Sequence, residues 1–211
     1  MTKRTSRRVS ASMSLTIDGH YHGPGGPGDL GAIVPYMTTD VARDQLTRVW
    51  EGGTTALLGR RNAEGFLGFW PPVAEDENAE PRDRGYARWL VDTEKVVLST
   101  TLTQAPWPRT RLVNAPAAEV ITDLKATGEG DIVINNSASI IKALLSADLL
   151  DRLYLMVCPE IAGGGERLFD DGLPSSMSRA VMTRPANGTT HPDLRDAWSS
   201  KSSWTLRRGR P

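Results

Sequence analysis

The chain has 211 residues, 39% of them hydrophobic and 24% charged, enough for one domain with a real core, or one domain plus tails. Its 25 basic and 25 acidic side chains cancel, so no bulk attraction to nucleic acid or to an anionic membrane is implied. No apolar run is long enough to span a bilayer, and the single Cys158 rules out an internal disulfide.

The opening stretch, MTKRTSRRVSASMSL, is basic but has no apolar core segment, so it is not a secretory signal. Residues 1–8 read as a disordered basic tail, and the expected location is the cytoplasm. Val9 to Ile17 alternates apolar and small polar residues, the pattern of a strand, and Asp18-Gly19 turns it. His20 to Tyr36 is rich in Gly and Pro and is read as loop with no helix; its length makes it a candidate lid. His20, His22 and His191 are too scattered to suggest a metal site. Asp40 to Trp50 has helical spacing and is closed by Gly52-Gly53.

Thr55 to Leu58 is a short buried strand leading into Gly59-Arg60-Arg61-Asn62. An arginine at a strand's carboxyl end can grip a phosphate with its planar fork, or it can be part of a plain surface pair. Gly65 to Val73, GFLGFWPPV, is excluded from regular helix by its glycines and prolines; its rings cover the core edge or wall a pocket. Residues 74–84 read as a solvated loop and 85–91 as a short helix. Lys95 to Leu102 is a third strand, ending in the hydroxyls of Ser99, Thr100 and Thr101. Pro116 to Ala126 is a helix with a stripe of Ala117, Val120, Ile121 and Leu124, ended by Gly128.

The segment from Gly128 to Phe169 organises the rest. Ile132 to Ile134 is a buried strand, broken by Asn135-Asn136-Ser137. Ser137 is the candidate N-cap of a helix whose stripe is Ile140, Ile141, Leu144, Leu145 and Leu149. Leu153 to Val157 is the next strand, with Cys158 as a buried thiol at its end, and Gly163-Gly164-Gly165 follows. Strand–helix–strand of this length implies a parallel pair, with ligands beyond the carboxyl ends and a helix start that attracts phosphate. After Phe169 the pattern fails, and residues 173–211 are expected to be irregular.

The order of these pieces resembles the dihydrofolate reductase-like family, in particular the C-terminal reductase domain of the bacterial riboflavin-biosynthesis enzyme. The matching residues are Met13-Ser14-Leu15 with Asp18-Gly19, Leu58-Gly59-Arg60, Lys95 to Leu102, Leu149 to Leu153, Pro159, Gly163 to Gly165 and Arg167-Leu168-Phe169. The resemblance implies a three-layer α/β domain over 9–172, with a mainly parallel central sheet flanked by helices. It also implies an NADPH-dependent reductase of a small heterocycle, such as an aminouracil or a pterin, and a homodimer. It places Gly59 and Arg60 at the cofactor phosphates, Ser99 and Thr100 at the adenosine ribose and 2′-phosphate, and Ser137, Ala138 and Ser139 at the diphosphate. Gly163, Gly164 and Gly165 would line the nicotinamide side, and Ser14 and Asp18 the pocket where nicotinamide and substrate meet. Asp18 is then the expected proton source, with a turn-capping role as its alternative.

Four departures accompany the resemblance. Asn135-Asn136-Ser137 stands where relatives carry Gly-Gly or Gly-Ser, so side chains are expected to crowd the diphosphate. Thr100 stands where they often carry Arg or Lys, and Asn62 replaces a Thr. The closing antiparallel strands are not recognisable after Phe169. A catalytically silent nucleotide-binding relative is therefore the competing reading. Nucleic-acid binding through the basic ends has no module to support it.

Overall fold

Strand β1, Val9–Thr16, sits inside a sheet whose neighbours all run parallel to one another, and its alternation gives it two different faces. Val9, Ala11, Met13 and Leu15 join the main apolar cluster with helices α5 (Ala117–Ala126) and α6 (Ala138–Ser146). Ser10, Ser12, Ser14 and Thr16 are also buried, on the other face. Their small hydroxyl side chains let helix α2 (Asp40–Trp50) approach there. The structure, a computed structural model, describes residues 7–171 and the backbone of 179–183.

The remaining strands are β2 (Gly53–Gly59), β3 (Glu94–Leu98), β4 (Thr110–Val113), β5 (Asp131–Asn135), β6 (Arg152–Cys158) and β7 (Arg179–Thr183). Their order across the sheet is β4-β3-β2-β5-β1-β6-β7. The three-layer, parallel architecture implied by the resemblance is thus the one observed. β5 and β6 are parallel, as the intervening helix requires, yet they do not pair, because β1 lies between them and bonds to both. Helices α3 (Arg60–Glu75), α4 (Pro81–Asp92) and α2 cover the face opposite α5 and α6.

Local chemistry explains most boundaries. Thr39 caps α2 by accepting from the Ala42 N–H at 3.3 Å, and Gly52 leaves it at φ +85°. Glu80 caps α4 through the N–H groups of Arg82 and Asp83. Pro116 stands one position earlier than expected, as the N-cap of α5.

Four readings are corrected. The segment 65–73 is helical, as part of α3, despite Gly65, Gly68, Pro71 and Pro72. Pro71 and Pro72 lack the N–H groups that would bond the carbonyls of Leu67 and Gly68, so propensity opposes this part of α3. Burial outweighs propensity: Ala63, Leu67 and Ala74 enter the core, and Trp70 packs edge-on against Tyr86 of α4, centroids 4.7 Å apart. Within the supposedly helix-free 20–36 stretch, a single-turn helix α1 (Val34–Met37) forms on Pro35. β7 forms in the segment expected to be irregular, pairing with β6 from Arg152↔Arg179 to Met156↔Thr183. Finally, the basic tail ends before Arg7. Arg7 is buried, donating to Gly130 O, Leu124 O and Thr127 O and to the hydroxyls of Thr54 and Thr55. Arg8 pairs with Asp131. The other residues of the expected tails, 1–6, 173–178 and 184–211, lie outside the described residues.

Arg7 and Lys95 do similar work at the amino-terminal edge of the sheet. Lys95 is 1% exposed, and its Nζ donates to Leu90 O, Val91 O and Thr93 O, each at 2.9 Å. The final carbonyls of α4 and the C-terminal turn of α5 therefore each meet a buried cation.

Candidate functional site

β2 and β5 are neighbours, but the helices that follow them leave by opposite faces. Ala63 and Leu67 of α3 pack with Ala56, Leu58 and Val97, whereas Ile140, Ile141 and Leu144 of α6 pack with Leu57, Ile132 and Ile134. Such a divergence opens a crevice at the carboxyl ends of the strands. A cleft of about 980 Å3 occupies that place. Its floor and sides come from the end of β1, the β2–α3 corner, the turn after β3, the end of β4 and the β5–α6 corner. The long connection from β1 to α2 closes the far side.

Three helices start on this cleft: α3, α5 and α6 contribute Arg60, Ala117 and Ala138 to its lining. None of the three has a side-chain cap. α2 and α4, whose first residues do not line the cleft, are both capped. The N–H groups of a helix start carry partial positive charge and need acceptors, so the cleft is suited to an anion.

Of the residues singled out in the sequence, Ser14, Gly59, Arg60, Ser99, Thr100, Ser137, Ala138 and Ser139 all line this one cleft. Ser137 does not cap α6 with its hydroxyl. Its Oγ accepts instead from the Gly59 N–H at 3.2 Å, which ties the two corners together. Ser99 Oγ accepts from the N–H groups of Thr101 and Leu102, a hydroxyl-closed turn at the end of β3. Arg60 reaches across to that turn, with Nη1 donating to Thr101 Oγ1 at 2.9 Å.

The asparagine corner does not crowd the cleft in the expected way. Asn135 is buried and does not line it; its Nδ2 donates to the Tyr86 hydroxyl at 3.2 Å. Asn136 takes φ +52°, a conformation that asparagine tolerates better than most residues and that glycine would adopt freely. Its Oδ1 accepts from the Ser14 N–H and its own N–H donates to Ser12 O, so the turn is held by β1. Asn62 donates to Asn136 O at 3.4 Å, on the same side.

Asp18 and Gly163 to Gly165 are not in the cleft lining. Asp18 Oδ1 accepts from the Thr16 hydroxyl at 2.6 Å and from the Ala162 N–H, and Oδ2 accepts from the Gly163 N–H at 2.9 Å. His20 Nδ1 lies 3.1 Å from Oδ2 without hydrogen-bond alignment. The Thr16 hydroxyl, and then the two backbone donors, hold this carboxyl far below the usual carboxylate range. A group held so firmly ionised is a poor proton donor, and the geometry gives it the turn-capping role instead. Of these glycines, Gly165 serves close backbone packing. Gly165 has φ +102°, and a Cβ there would stand 2.2 Å from His22 O.

The sequence reading did not single out Arg61 or Glu166 as site residues and placed Tyr21 and His22 only within a candidate lid, whereas Asn136, expected at the diphosphate corner, does line the cleft. Glu166 directly follows the glycine triplet and accepts from the Tyr21 hydroxyl, a pairing across 145 positions that no local pattern announces. Burial first, then Glu166, holds Tyr21 in its protonated form. Cys158 is buried, and desolvation pushes its thiol up to about 11. Among the described residues no three His, Cys, Asp or Glu side chains gather to hold a metal, and no helix is long and apolar enough to cross a membrane.

The sequence profile of the RibD C-terminal domain matches residues 7–191. The chain belongs to that family. The fold agrees with solved structures at low identity. One is a protein from Shewanella sp. PV-4 assigned to riboflavin biosynthesis, 22% identical, with a TM-score of 0.58 over 80% of this chain and 86% of that one. A second is the diaminohydroxyphosphoribosylaminopyrimidine deaminase/5-amino-6-(5-phosphoribosylamino)uracil reductase of Thermotoga maritima, 14% identical, with a TM-score of 0.52. The alignment covers 82% of this chain and 50% of the Thermotoga protein, so the chain spans about half of that bifunctional enzyme. No curated protein matches in sequence.

Proposed function

We propose that the chain is an NADPH-dependent reductase that transfers hydride to a small heterocycle of the aminouracil type. The observation that carries this reading is the convergence of three uncapped helix starts on one cleft at the sheet's divergence point. Those free N–H groups, with Arg60 beside them, fit a dinucleotide's diphosphate. The hydroxyl turn at Ser99 and Thr100 fits its ribose and 2′-phosphate. When bound, the nicotinamide supplies the hydride.

The protein's own part is orientation and exclusion of water. The Ser137–Gly59 bond fixes the two corners against each other, and the Asn136–Ser14 bond fixes the β5–α6 corner against β1. Ser14 and Met13 then form the floor where the two reactants meet. Asp18 acts at a distance, holding the 162–163 loop rather than donating a proton.

Titration with NADPH, followed by nicotinamide fluorescence, tests the reading; saturable binding in the micromolar range is expected. Absence of binding by NADPH and NADH at millimolar concentration would falsify it. Binding without oxidation against aminouracil and pterin substrates would instead favour the silent nucleotide-binding relative, a reading that the engagement of Asp18 supports. The homodimer belongs to the same proposal, and light scattering would return twice the 23.0 kDa chain mass.

A further inference from the structure

The cleft crosses the carboxyl ends of the strands in sheet order, and its charge changes along the way. β4 and β3 lead to the start of α5 at Ala117 and to the hydroxyl turn at Ser99. β2 and β5, in the middle, bring Arg60, Arg61 and the open start of α6. β1 and the loop after β6 end the row with Ser14 and Glu166. Among the described residues Glu166 is the one carboxylate in the lining. A dinucleotide held by its diphosphate at β2 and β5, with its adenosine at the Ser99 turn, has one direction left for its nicotinamide end, towards β1 and Glu166.

Glu166 is held where it stands. His20 and Arg167 form an antiparallel bridge, the Tyr21 N–H donates to Glu166 O at 3.1 Å, and the Leu168 N–H donates to Gly19 O at 3.2 Å. The backbone of Gly165 packs directly on the His22 carbonyl, so the two segments cannot slide. The Tyr21 hydroxyl donates to the Glu166 carboxylate, which leaves that group its charge. Burial first, then Glu166 and Asp170, push the Tyr21 hydroxyl up, against a smaller opposite pull from Arg61. Lys142 lies 5.9 Å from the Tyr21 ring centroid and is itself paired with Asp170 at 2.9 Å.

The two forms of the cofactor carry the same phosphates and differ at the ring. The hydride takes both electrons of its C–H bond to the substrate carbon, so a ring that is neutral in NADPH carries one positive charge in NADP+. A carboxylate at that end attracts the second form and not the first. Part of the same charge is present in the transition state, where its stabilisation raises the rate.

We propose, resting on the reading of the cleft as an NADPH site, that Glu166 is the counter-charge for the oxidised nicotinamide ring. It tightens NADP+ relative to NADPH.

Calorimetry on the full chain, with NADPH and NADP+ as the two probes, tests this. Glu166→Gln keeps an acceptor for the Tyr21 hydroxyl and removes the charge. Glu166 is exposed and screened by solvent, so the ratio of the NADP+ Kd to the NADPH Kd rises by about fivefold in that variant. Tyr21→Phe keeps the charge and leaves the ratio within about twofold of the unaltered chain. Added salt weakens both forms through their phosphates, and on the unaltered chain it also raises the ratio; in Glu166→Gln the ratio stays flat. A purely structural role for Glu166 would shift both forms together and leave the ratio as it was. A folded Glu166→Gln with an unchanged ratio overturns the inference. If that variant fails to fold, the unaltered chain decides, and a ratio indifferent to salt overturns it. Failure of NADPH to bind removes the reductase reading itself and this inference with it, whereas NADPH binding with an unmoved ratio removes only this inference.

Discussion

The two edges of the sheet treat helix ends in opposite ways. At the amino-terminal edge, the last carbonyls of α4 and the carbonyls that close α5 are met by Lys95 and Arg7, both buried. At the carboxyl edge, α3, α5 and α6 begin with no side chain over their N–H groups. At the first edge these carbonyls are satisfied from within the chain. The second leaves donors for something else to complete. A fold gains stability by closing helix ends, and it gains a binding site where it leaves them open.

Substitutions that exchange the two treatments would test this contrast. Arg7→Met should have the largest effect. It orphans three carbonyls and two hydroxyls in and around the C-terminal turn of α5, and a loss of about 3 kcal/mol, or roughly 10 °C in Tm, is expected. NADPH affinity should not change, since no Arg7 contact reaches the cleft. Thermal melts with and without cofactor read both. Lys95→Met should follow, at about 2 kcal/mol, again without effect on binding.

The reverse experiment puts a carboxylate on the open edge. Ser137→Asp places an N-cap acceptor and a negative charge at the start of α6, but the position is buried and its hydroxyl already accepts from the Gly59 N–H, so stability should fall despite the cap. NADPH binding should fall at least about tenfold, by closing the donors and repelling phosphate. If Ser137→Asp binds NADPH as the unaltered chain does, the open helix start is not the anion site.

The smallest effect concerns Asp18. Its folded pKa lies below the ordinary value, so it contributes stability above the unfolded pKa of about 3.9, and that contribution is lost as pH falls through the folded value. Asp18→Asn should therefore remove part of the acid limb of a stability–pH curve. It should leave the rate of hydride transfer near that of the unaltered chain. A large fall in that rate, with folding intact, would return Asp18 to the chemistry.

Much of the fold was legible because its signals are local. Val9 to Thr16 alternates, Asp40 to Trp50 begins after a capping threonine and ends before Gly52, and Ala117 to Ala126 shows its stripe openly. Strand ends followed by Gly59, Ser99 and Ser137 marked most of the cleft, because ligand sites of parallel sheets sit where strands end. α3 was not legible. Its Gly and Pro content argues against helix, and only the packing of Leu67 and Trp70 under Tyr86 reverses that. β7 escaped notice because an edge strand is defined by the neighbour it borders, here β6. Arg7 looked like one more charge in a basic tail, since nothing adjacent to it says that the end of α5 will arrive there.

The sequence alone therefore determined most of the elements other than α1, α3 and β7, their parallel arrangement and the family, since turn chemistry, capping and periodicity act over a few residues. Tertiary structure decided which side chains face the cleft and which are used up elsewhere. Asp18 and His22 lie four positions apart in similar loop sequence. One has its lone pairs filled by Thr16, Ala162 and Gly163, and the other keeps a buried nitrogen without a partner. That difference depends on the 162–165 loop arriving from the far end of the chain, and a contact between distant residues leaves no mark in either one's local sequence.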